Sequence, residues 1–220
     1  MLQRVLEPEV MDSAEEAHDY DAMDHATVNR VFVDDFLAVW NGDAPLLDVG
    51  TGTAQIPIEL CRRVDAVHVV GIDLAEHMLR VGRENVRRAG LANRIDLVLC
   101  DAKQMATIKD GMFGGVISNS IVHHIPEPRR VLAEMVRVVP PAGILFVRDL
   151  LRPSDSATLA WIVDQYAAGA NDHQRKMFAD SLHAALTLDE IRELVKELGF
   201  NPATVQQTSD RHWTWSARRR

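Results

Sequence analysis

Cysteine is scarce in this chain of 220 residues, where Cys61 and Cys100 are the two present. A disulfide framework needs more cysteines and a zinc site needs closer clustering, so both are predicted to be buried reduced thiols. No apolar run approaches the roughly 18 residues that a membrane span requires. The N-terminus becomes acidic where an export signal would be apolar. We therefore expect a cytoplasmic protein without a membrane span.

Basic residues are also in the minority, since 24 Lys and Arg face 32 Asp and Glu, a formal net charge of -8. This balance argues against nucleic acid or an anionic membrane as the main partner. The apolar share of 47% excludes disorder as the main state. The length is that of a single α/β domain, because cores usually divide only beyond about 250 residues.

Strands and helices alternate through the middle of the chain. Apolar runs predict strands at 46–49, 67–72, 95–100, 115–118 and 144–147, with helices at 56–64, 75–89 and 128–138. Near-continuous apolar strands that alternate with helices indicate a doubly wound α/β fold, in which a parallel sheet is covered by helices on both faces. Two further strands, at 203–207 and 212–216, are predicted to form a hairpin at the sheet edge.

A glycine-rich turn at residues 48–53, DVGTGT, follows the first strand and leads into a helix. Glycine lets the backbone approach a ligand closely, and nucleotide-like cofactors bind at the carboxyl ends of such strands. The dinucleotide fingerprint requires glycine where Gln55 stands, so it is not matched. Asp73 and Asp101 end the next two strands, where they can accept bonds from ribose hydroxyls and an adenine amine. The turn and these two acids predict a nucleoside cofactor.

From about residue 46 to 150 the chain resembles the class I S-adenosylmethionine-dependent methyltransferases, in their small-molecule branch. The resemblance lies in DVGTGTAQIPIEL, GIDLAEHML, CDAKQM, SNSIVHHIPEPRRVLAEMVRVV and PPAGILFVRDLLRP. It implies a Rossmann-like, mostly parallel seven-stranded sheet with an antiparallel last strand. It also implies S-adenosylmethionine as cofactor and S-adenosylhomocysteine as product. Thr53 and Ala75 depart from a common glycine and a common serine of the family.

The same resemblance implies a set of cofactor-binding residues. The turn holds the methionyl part of the cofactor, and Asp73 holds the ribose. The end of the third strand faces the adenine, and the end of the fourth strand faces the methionine end. In this chain these residues are Asp48, Gly50, Thr51, Gly52, Asp73, Leu74, Met78, Asp101, Ala102, Asn119 and Ser120. Tyr20 and Met23, in the segment before the first strand, are added because that segment is expected to cover the cofactor.

Methyl transfer from a sulfonium is an in-line displacement, in which the protein mainly positions the acceptor and excludes water. A base is needed only where the acceptor loses a proton. His123 is the candidate base, as a neutral imidazole near its ordinary pKa of about 6.5, and the alternative is a histidine that caps its loop. His123 and His124 are expected to point in different directions. No metal site is predicted, because the pair lacks a third ligand at a recognisable spacing.

The acceptor is predicted to be a small molecule. Amino-methylating nucleic-acid enzymes of this fold carry Asn/Asp-Pro-Pro-aromatic after the fourth strand, where this chain has SNSI at 118–121. Two rival functions are kept: a catalytically silent cofactor-binding domain of the same fold, and a nucleotide-dependent oxidoreductase, which Gln55 disfavours. A homodimer is kept as a partner hypothesis.

The domain organisation is predicted to be one methyltransferase domain, 1–220. It consists of an N-terminal helical arm at 1–44, a cofactor-binding core at 45–150, a helical insertion at 151–186, and a last helix with the edge hairpin at 187–217. The arm and the insertion are predicted to act as lids that cover the cofactor and exclude water.

Overall fold

The computed structural model describes residues 2–7, 12–23, 25–40, 42 and 44–220. Seven strands form one sheet in the order β3-β2-β1-β4-β5-β7-β6. They are β1 Leu46–Val49, β2 Val69–Asp73, β3 Ile95–Leu99, β4 Gly115–Asn119, β5 Ile144–Leu150, β6 Val205–Gln207 and β7 His212–Arg218. The first four are paired in parallel, and β7 runs antiparallel to β6 at the edge. The predicted sheet and its edge hairpin are confirmed.

Helices connect most of these strands. They are α1 Ala14–Ala22, α2 Ala26–Leu37, α3 Gln55–Arg63, α4 Glu76–Arg88, α5 Pro128–Arg137, α6 Ser156–Tyr166, α7 Asp172–Ala184 and α8 Leu188–Glu197. The Thr187 side chain and Glu190 form a capping box at the start of α8. The predicted insertion is helical, since α6 and α7 occupy most of it.

The register of the parallel strands brings their carboxyl ends to one edge of the sheet. Val49 of β1 is paired with Ile72 of β2, and Asp73 is paired with Leu99 of β3. On the other side of β1, Asp48 is paired with Ile117 of β4. The turn after β1 and the residues that end β2, β3 and β4 therefore lie near one another, as the sequence predicts.

The chain divides into two compact units. Unit 1 comprises Met1–Glu9, Ser120–Arg129 and Arg148–Trp215, and unit 2 comprises Val10–Asn119, Arg130–Val147 and Ser216–Arg220. The single-domain organisation stays a prediction.

Each unit has its own apolar core. In unit 2, Phe32 and Phe36 of α2 pack on Phe146 of β5, with ring centroids 5.2 and 5.7 Å apart. In unit 1, Ile162 of α6 and Leu182 of α7 belong to one buried cluster. Each such fully buried side chain stabilises the fold by about 1.5–3 kcal/mol.

The structure describes the surroundings of both cysteines and the lengths of the helices. Both cysteines are free, but Cys61 is buried whereas Cys100 is only partly buried, so the expectation of burial is wrong for Cys100. Cys100 directly follows β3, at the strand ends, where side chains leave the core. No helix among the described residues is long and apolar enough to cross a membrane.

Candidate functional site

The glycine-rich turn after β1 has an unusual backbone. Gly50, Gly52 and Ala54 have positive φ angles of 75°, 53° and 63°, in the left-handed region that glycine adopts readily. The amides of Gly50 and Thr51 both donate to the carbonyl of Ile72, at 2.9 and 3.0 Å. These bonds fix the turn to the end of β2, and α3 begins immediately after it.

Asp73 connects this turn to the next helix. Its Oδ2 accepts the Gly52 amide at 2.8 Å, and its Oδ1 accepts the Ala75 amide at 2.9 Å just before α4. Each carboxylate oxygen can accept more than one hydrogen bond, so these bonds are compatible with the predicted contacts to ribose hydroxyls. Asp73 thus holds the shape of the turn and lies where the sequence predicts the ribose.

Asp48 lies inside β1 and is 2% exposed. Burial raises its pKa to about 7, the nearby Thr51 hydroxyl opposes this, and the negative charge of Asp73 adds to it. The buried site already contains the carboxylate of Asp73, so a second negative charge on Asp48 is disfavoured.

We expect Asp48→Asn to change the pH dependence of stability. The pKa of Asp48 is about 7 in the fold against 3.8 in the unfolded chain, so the fold retains a proton that the unfolded chain loses. Asp48 therefore makes stability fall as pH rises from about 4 to 7, by up to about 4 kcal/mol. Asparagine cannot ionise, so the variant gains unfolding free energy over the parent as pH rises. Urea denaturation between pH 5 and 8 measures this difference.

The control is Asp96→Asn, which neutralises a carboxylate on β3 whose side chain is 64% exposed. Its stability curve is expected to stay parallel to that of the parent. Parallel curves for Asp48→Asn and the parent would contradict the raised pKa of Asp48.

Asp101 and Ala102 follow β3, as predicted, but Asp101 is already engaged by Lys103. Its Oδ1 accepts the Lys103 amide at 2.8 Å and lies 3.0 Å from the Lys103 ammonium. Burial raises the pKa of Asp101, but the two Lys103 contacts outweigh it and the pKa is lowered. Asp101 is thus an ionised acceptor at the strand edge, and its contact with adenine stays a prediction.

Asn119 ends β4 at the same edge. Its Oδ1 is buried and has no hydrogen-bond partner among the described residues. An unpaired buried carbonyl oxygen is costly, so this atom suits a ligand that donates a hydrogen bond. Ser120, the next residue, belongs to unit 1 and has a positive φ of 60°, with its amide bonded to the Arg148 carbonyl at 2.9 Å.

The N-terminal arm reaches the turn through α1. Ala17, fully buried, forms an apolar cluster with Ala75 and Met78 at the start of α4, and Tyr20 packs against it. The Tyr20 ring lies within 3.8 Å of where a Gly52 side chain would begin. Burial raises the pKa of Tyr20 to about 12, and Asp73 adds to this.

Leu74, predicted to border the adenine, and Met23 of the N-terminal arm are less enclosed than Met78. Leu74 is 39% exposed. Met23 caps the end of α1, where its amide donates to the Tyr20 carbonyl at 3.2 Å. Their contacts with the cofactor stay predictions.

A polar network behind the turn has no counterpart in the sequence analysis. Asp21 of α1 accepts hydrogen bonds from Gln55 of α3 at 3.0 Å and from Asn85 of α4 at 2.8 Å. Asn29 of α2 donates to Gln55 at 3.1 Å, and Asn85 also donates to the Thr53 carbonyl at 3.2 Å. The one sequence signal was Gln55, a polar residue where dinucleotide enzymes need glycine.

His123 lies in unit 1 and is 3% exposed. Its Nδ1 is 2.5 Å from Asp149 Oδ1, and its Nε2 is 3.6 Å from Glu7 Oε1. Burial lowers the pKa of His123, but the negative charge of Asp149 outweighs it and the pKa is raised. The direction of this shift favours a protonated ring, whereas the sequence analysis expects a neutral one near its ordinary pKa. The base role of His123 stays a prediction.

The expectation that the two histidines point apart is wrong. Their ring centroids are 4.1 Å apart, and His124 Nδ1 lies 3.0 Å from the same Glu7 Oε1. The pair occupies a short 3-10 turn, Val122–His124, in which successive side chains are turned by about 120° rather than the 180° of a strand. Both rings can then face one group.

Residues 47–147 match the methyltransferase domain family. Over these residues, a little under half of the chain, the protein is similar to methyltransferases. The match covers all of β1 to β4 except Leu46, together with α5 and the first half of β5. The resemblance drawn from the turn and the strand-end acids is confirmed.

Individual relatives show the same similarity. A demethylmenaquinone methyltransferase of Porphyromonas gingivalis is 32% identical over 140 residues, which are 61% of this chain and 57% of that protein. One of Listeria welshimeri is 36% identical over 110 residues, 50% of this chain and 46% of that protein. The chain thus spans about half the length of the curated relatives it matches. A SAM dependent methyltransferase of Aquifex aeolicus has the same fold, with a TM-score of 0.71 over 96% of this chain and 100% of that chain at 16% identity.

Proposed function

We propose that this protein transfers a methyl group from S-adenosylmethionine to a small-molecule acceptor and releases S-adenosylhomocysteine. The observation that carries the proposal is the left-handed turn at Gly50 and Gly52, bonded to the Asp73 carboxylate at the carboxyl edge of the sheet. Such a turn lets the backbone approach a ligand that a Cβ would exclude. The unpaired Asn119 Oδ1 at the same edge fits a ligand with a hydrogen-bond donor.

S-adenosylmethionine, when bound, supplies a methyl group on a positively charged sulfur that leaves readily. Asp73 would accept hydrogen bonds from the ribose hydroxyls, and Asn119 Oδ1 would accept one from the ammonium group of the methionyl part. Leu74, Met78 and Ala102 would border the adenine. The task of these residues is to orient the donor, because displacement at a sulfonium depends mainly on position.

We also propose that α1 covers the bound cofactor, supported by the position of Tyr20 beside Gly52. The insertion at 151–186 as a second lid stays a prediction, as do a homodimer and a cytoplasmic location.

A small-molecule acceptor is supported by three observations. The SNSI sequence at 118–121 departs from the motif of the amino-methylating nucleic-acid enzymes, and the net charge of -8 disfavours nucleic acid. The relatives from Porphyromonas gingivalis and Listeria welshimeri are named for demethylmenaquinone, a small molecule. A general base at His123 would require Nε2 to be released from Glu7.

Calorimetry followed by a turnover assay tests the proposal. We expect S-adenosylmethionine and S-adenosylhomocysteine to bind with 1:1 stoichiometry and NADH not to bind. A methyl-labelled donor incubated with a metabolite extract should then give a labelled small product. Binding without any labelled product across extracts would favour the silent cofactor-binding domain. Binding of NADH alone would favour the oxidoreductase.

A further inference from the structure

Unit 1 contains a second cluster of chemically capable side chains, none of which is among the residues proposed to bind the cofactor. Glu7, His123 and His124 each offer one ligand atom, and these three atoms lie within 4.8 Å of one another. Glu7 Oε1 and His124 Nδ1 are buried, and neither has a well-aligned hydrogen bond among the described residues. The nearest approaches, 3.0 and 3.6 Å, both involve the same oxygen of Glu7.

The N-terminal segment is fixed so that Glu7 reaches the histidines. The Val5 amide donates to the His183 carbonyl at 3.1 Å. The Arg4 guanidinium donates to the carbonyls of Ala184, His123 and Ile125 at 2.7, 3.2 and 3.1 Å. These main-chain contacts hold the segment along α7 and the histidine turn, so the position of Glu7 does not depend on its ion pairs alone.

Asp149 sets the orientation of the His123 ring. Asp149 is 1% exposed, and its Oδ1 accepts a hydrogen bond from His123 Nδ1. In the singly protonated ring, in which Nδ1 carries the proton, the lone pair of Nε2 points towards the Glu7 carboxylate. Two acceptors facing each other repel unless a second proton on Nε2 or a metal ion lies between them. A carboxylate behind a ligating histidine is the usual outer partner in metal sites.

The separations suit a small metal ion. Ligands at about 2.1 Å from a metal in a tetrahedral arrangement lie about 3.4 Å apart. The separations of Glu7 Oε1 from His123 Nε2 and His124 Nδ1, 3.6 and 3.0 Å, fall on either side of this value. A cavity of about 340 Å³, lined by Val5, Leu6, Glu7, Asp180 and His183, reaches one of the three candidate ligands, Glu7.

We propose that Glu7, His123 and His124 bind one divalent transition-metal ion, with Asp149 orienting His123 and a water in the fourth position. Two imidazoles with one carboxylate suit zinc and its neighbours in the first transition row rather than magnesium or calcium. The proposal does not depend on the methyltransferase activity.

Metal-binding measurements on the full chain test this site. We expect the chelator-treated protein to bind Zn²⁺ with 1:1 stoichiometry, and Co²⁺ to give the visible absorption of a low-coordinate site. Glu7→Gln and His124→Ala should each weaken Zn²⁺ binding at least about tenfold, in line with the usual cost of disturbing a metal site. Circular dichroism checks that both variants fold, and Glu7→Gln preserves the size of the side chain.

The matched control is His173→Ala, which removes an exposed histidine at the start of α7. It should bind Zn²⁺ as tightly as the parent. The proposal is overturned if the parent binds no Zn²⁺ or binds it no more tightly than the Glu7→Gln and His124→Ala variants. It is also overturned if NMR shows that His123 stays doubly protonated, with unchanged shifts, when Zn²⁺ is added. In that case a proton on His123 Nε2, and not a metal ion, lies between Nε2 and the Glu7 carboxylate.

Discussion

Replacing Asp73 with alanine should weaken binding of S-adenosylhomocysteine at least about tenfold. In the proposed site its carboxylate accepts two ribose hydroxyls, and each charge-assisted bond is worth about 1.5–3 kcal/mol. A loss of 1.4 kcal/mol already corresponds to a factor of ten. The carboxylate also accepts the amides of Gly52 and Ala75, so the variant should lose about 1 kcal/mol of stability as well. Calorimetry of the folded variant measures the affinity.

Two control variants separate the lost ligand contacts from the lost support of the turn. Asp73→Asn retains one oxygen acceptor and should fall between parent and alanine in both affinity and stability. Asp96→Ala removes an exposed carboxylate from the neighbouring strand β3 and should leave affinity unchanged. An Asp73→Ala protein that is folded and binds S-adenosylhomocysteine as the parent does would remove Asp73 from the cofactor site.

The position of Asp73 could be predicted because its signals are local. A glycine-rich turn, a β-branched run and an acid at its end occupy a short stretch of sequence. The parallel pairing of β1 and β2 then brings the acid next to the turn. The same reasoning placed Asp101 and Asn119 at one edge of the sheet. It could not foresee that Lys103 engages Asp101, because a lysine two residues further on is an ordinary surface residue in sequence.

The surroundings of His123 could not be predicted, because its partners are remote in sequence. Glu7 lies in an irregular segment before the first helix, and no periodicity connects it to residue 123. Arg4 bonds to main-chain carbonyls, which leave no trace in side-chain patterns. The convergence of the two histidines depends on a three-residue 3-10 turn that is too short to give a periodic signal.

Asp21 shows the same limit in unit 2. It accepts side-chain amides from α3 and α4, but in the sequence it is one acid among many in an acidic stretch. A charge run is usually a solvated face, and the exception appears only when three helices are packed together. Sequence patterns thus predict the sheet and the residues at its strand ends, whereas the side-chain networks are visible only in the packed structure.

Replacing Asp149 with alanine should lower the free energy of unfolding by about 3–5 kcal/mol, the usual cost of removing one partner from a buried pair. Its Oδ2 accepts the amides of Val122 and His123, and its Oδ1 accepts the Leu150 amide and the His123 ring. Alanine leaves these donors buried without the carboxylate. Urea denaturation with a chelator present measures the loss and keeps metal binding out of the comparison.

Two further variants identify the source of that loss. Asp149→Asn retains an oxygen acceptor but no charge, so it should lose less than alanine does. Asp164→Ala in α6 removes a carboxylate whose side chain is 65% exposed and which pairs with Arg175, and exposed pairs of this kind contribute only about 0–1 kcal/mol. If Asp149→Ala costs no more than Asp164→Ala, Asp149 does not hold the histidine turn. The orientation of His123 must then come from Glu7 and the main-chain contacts of Arg4.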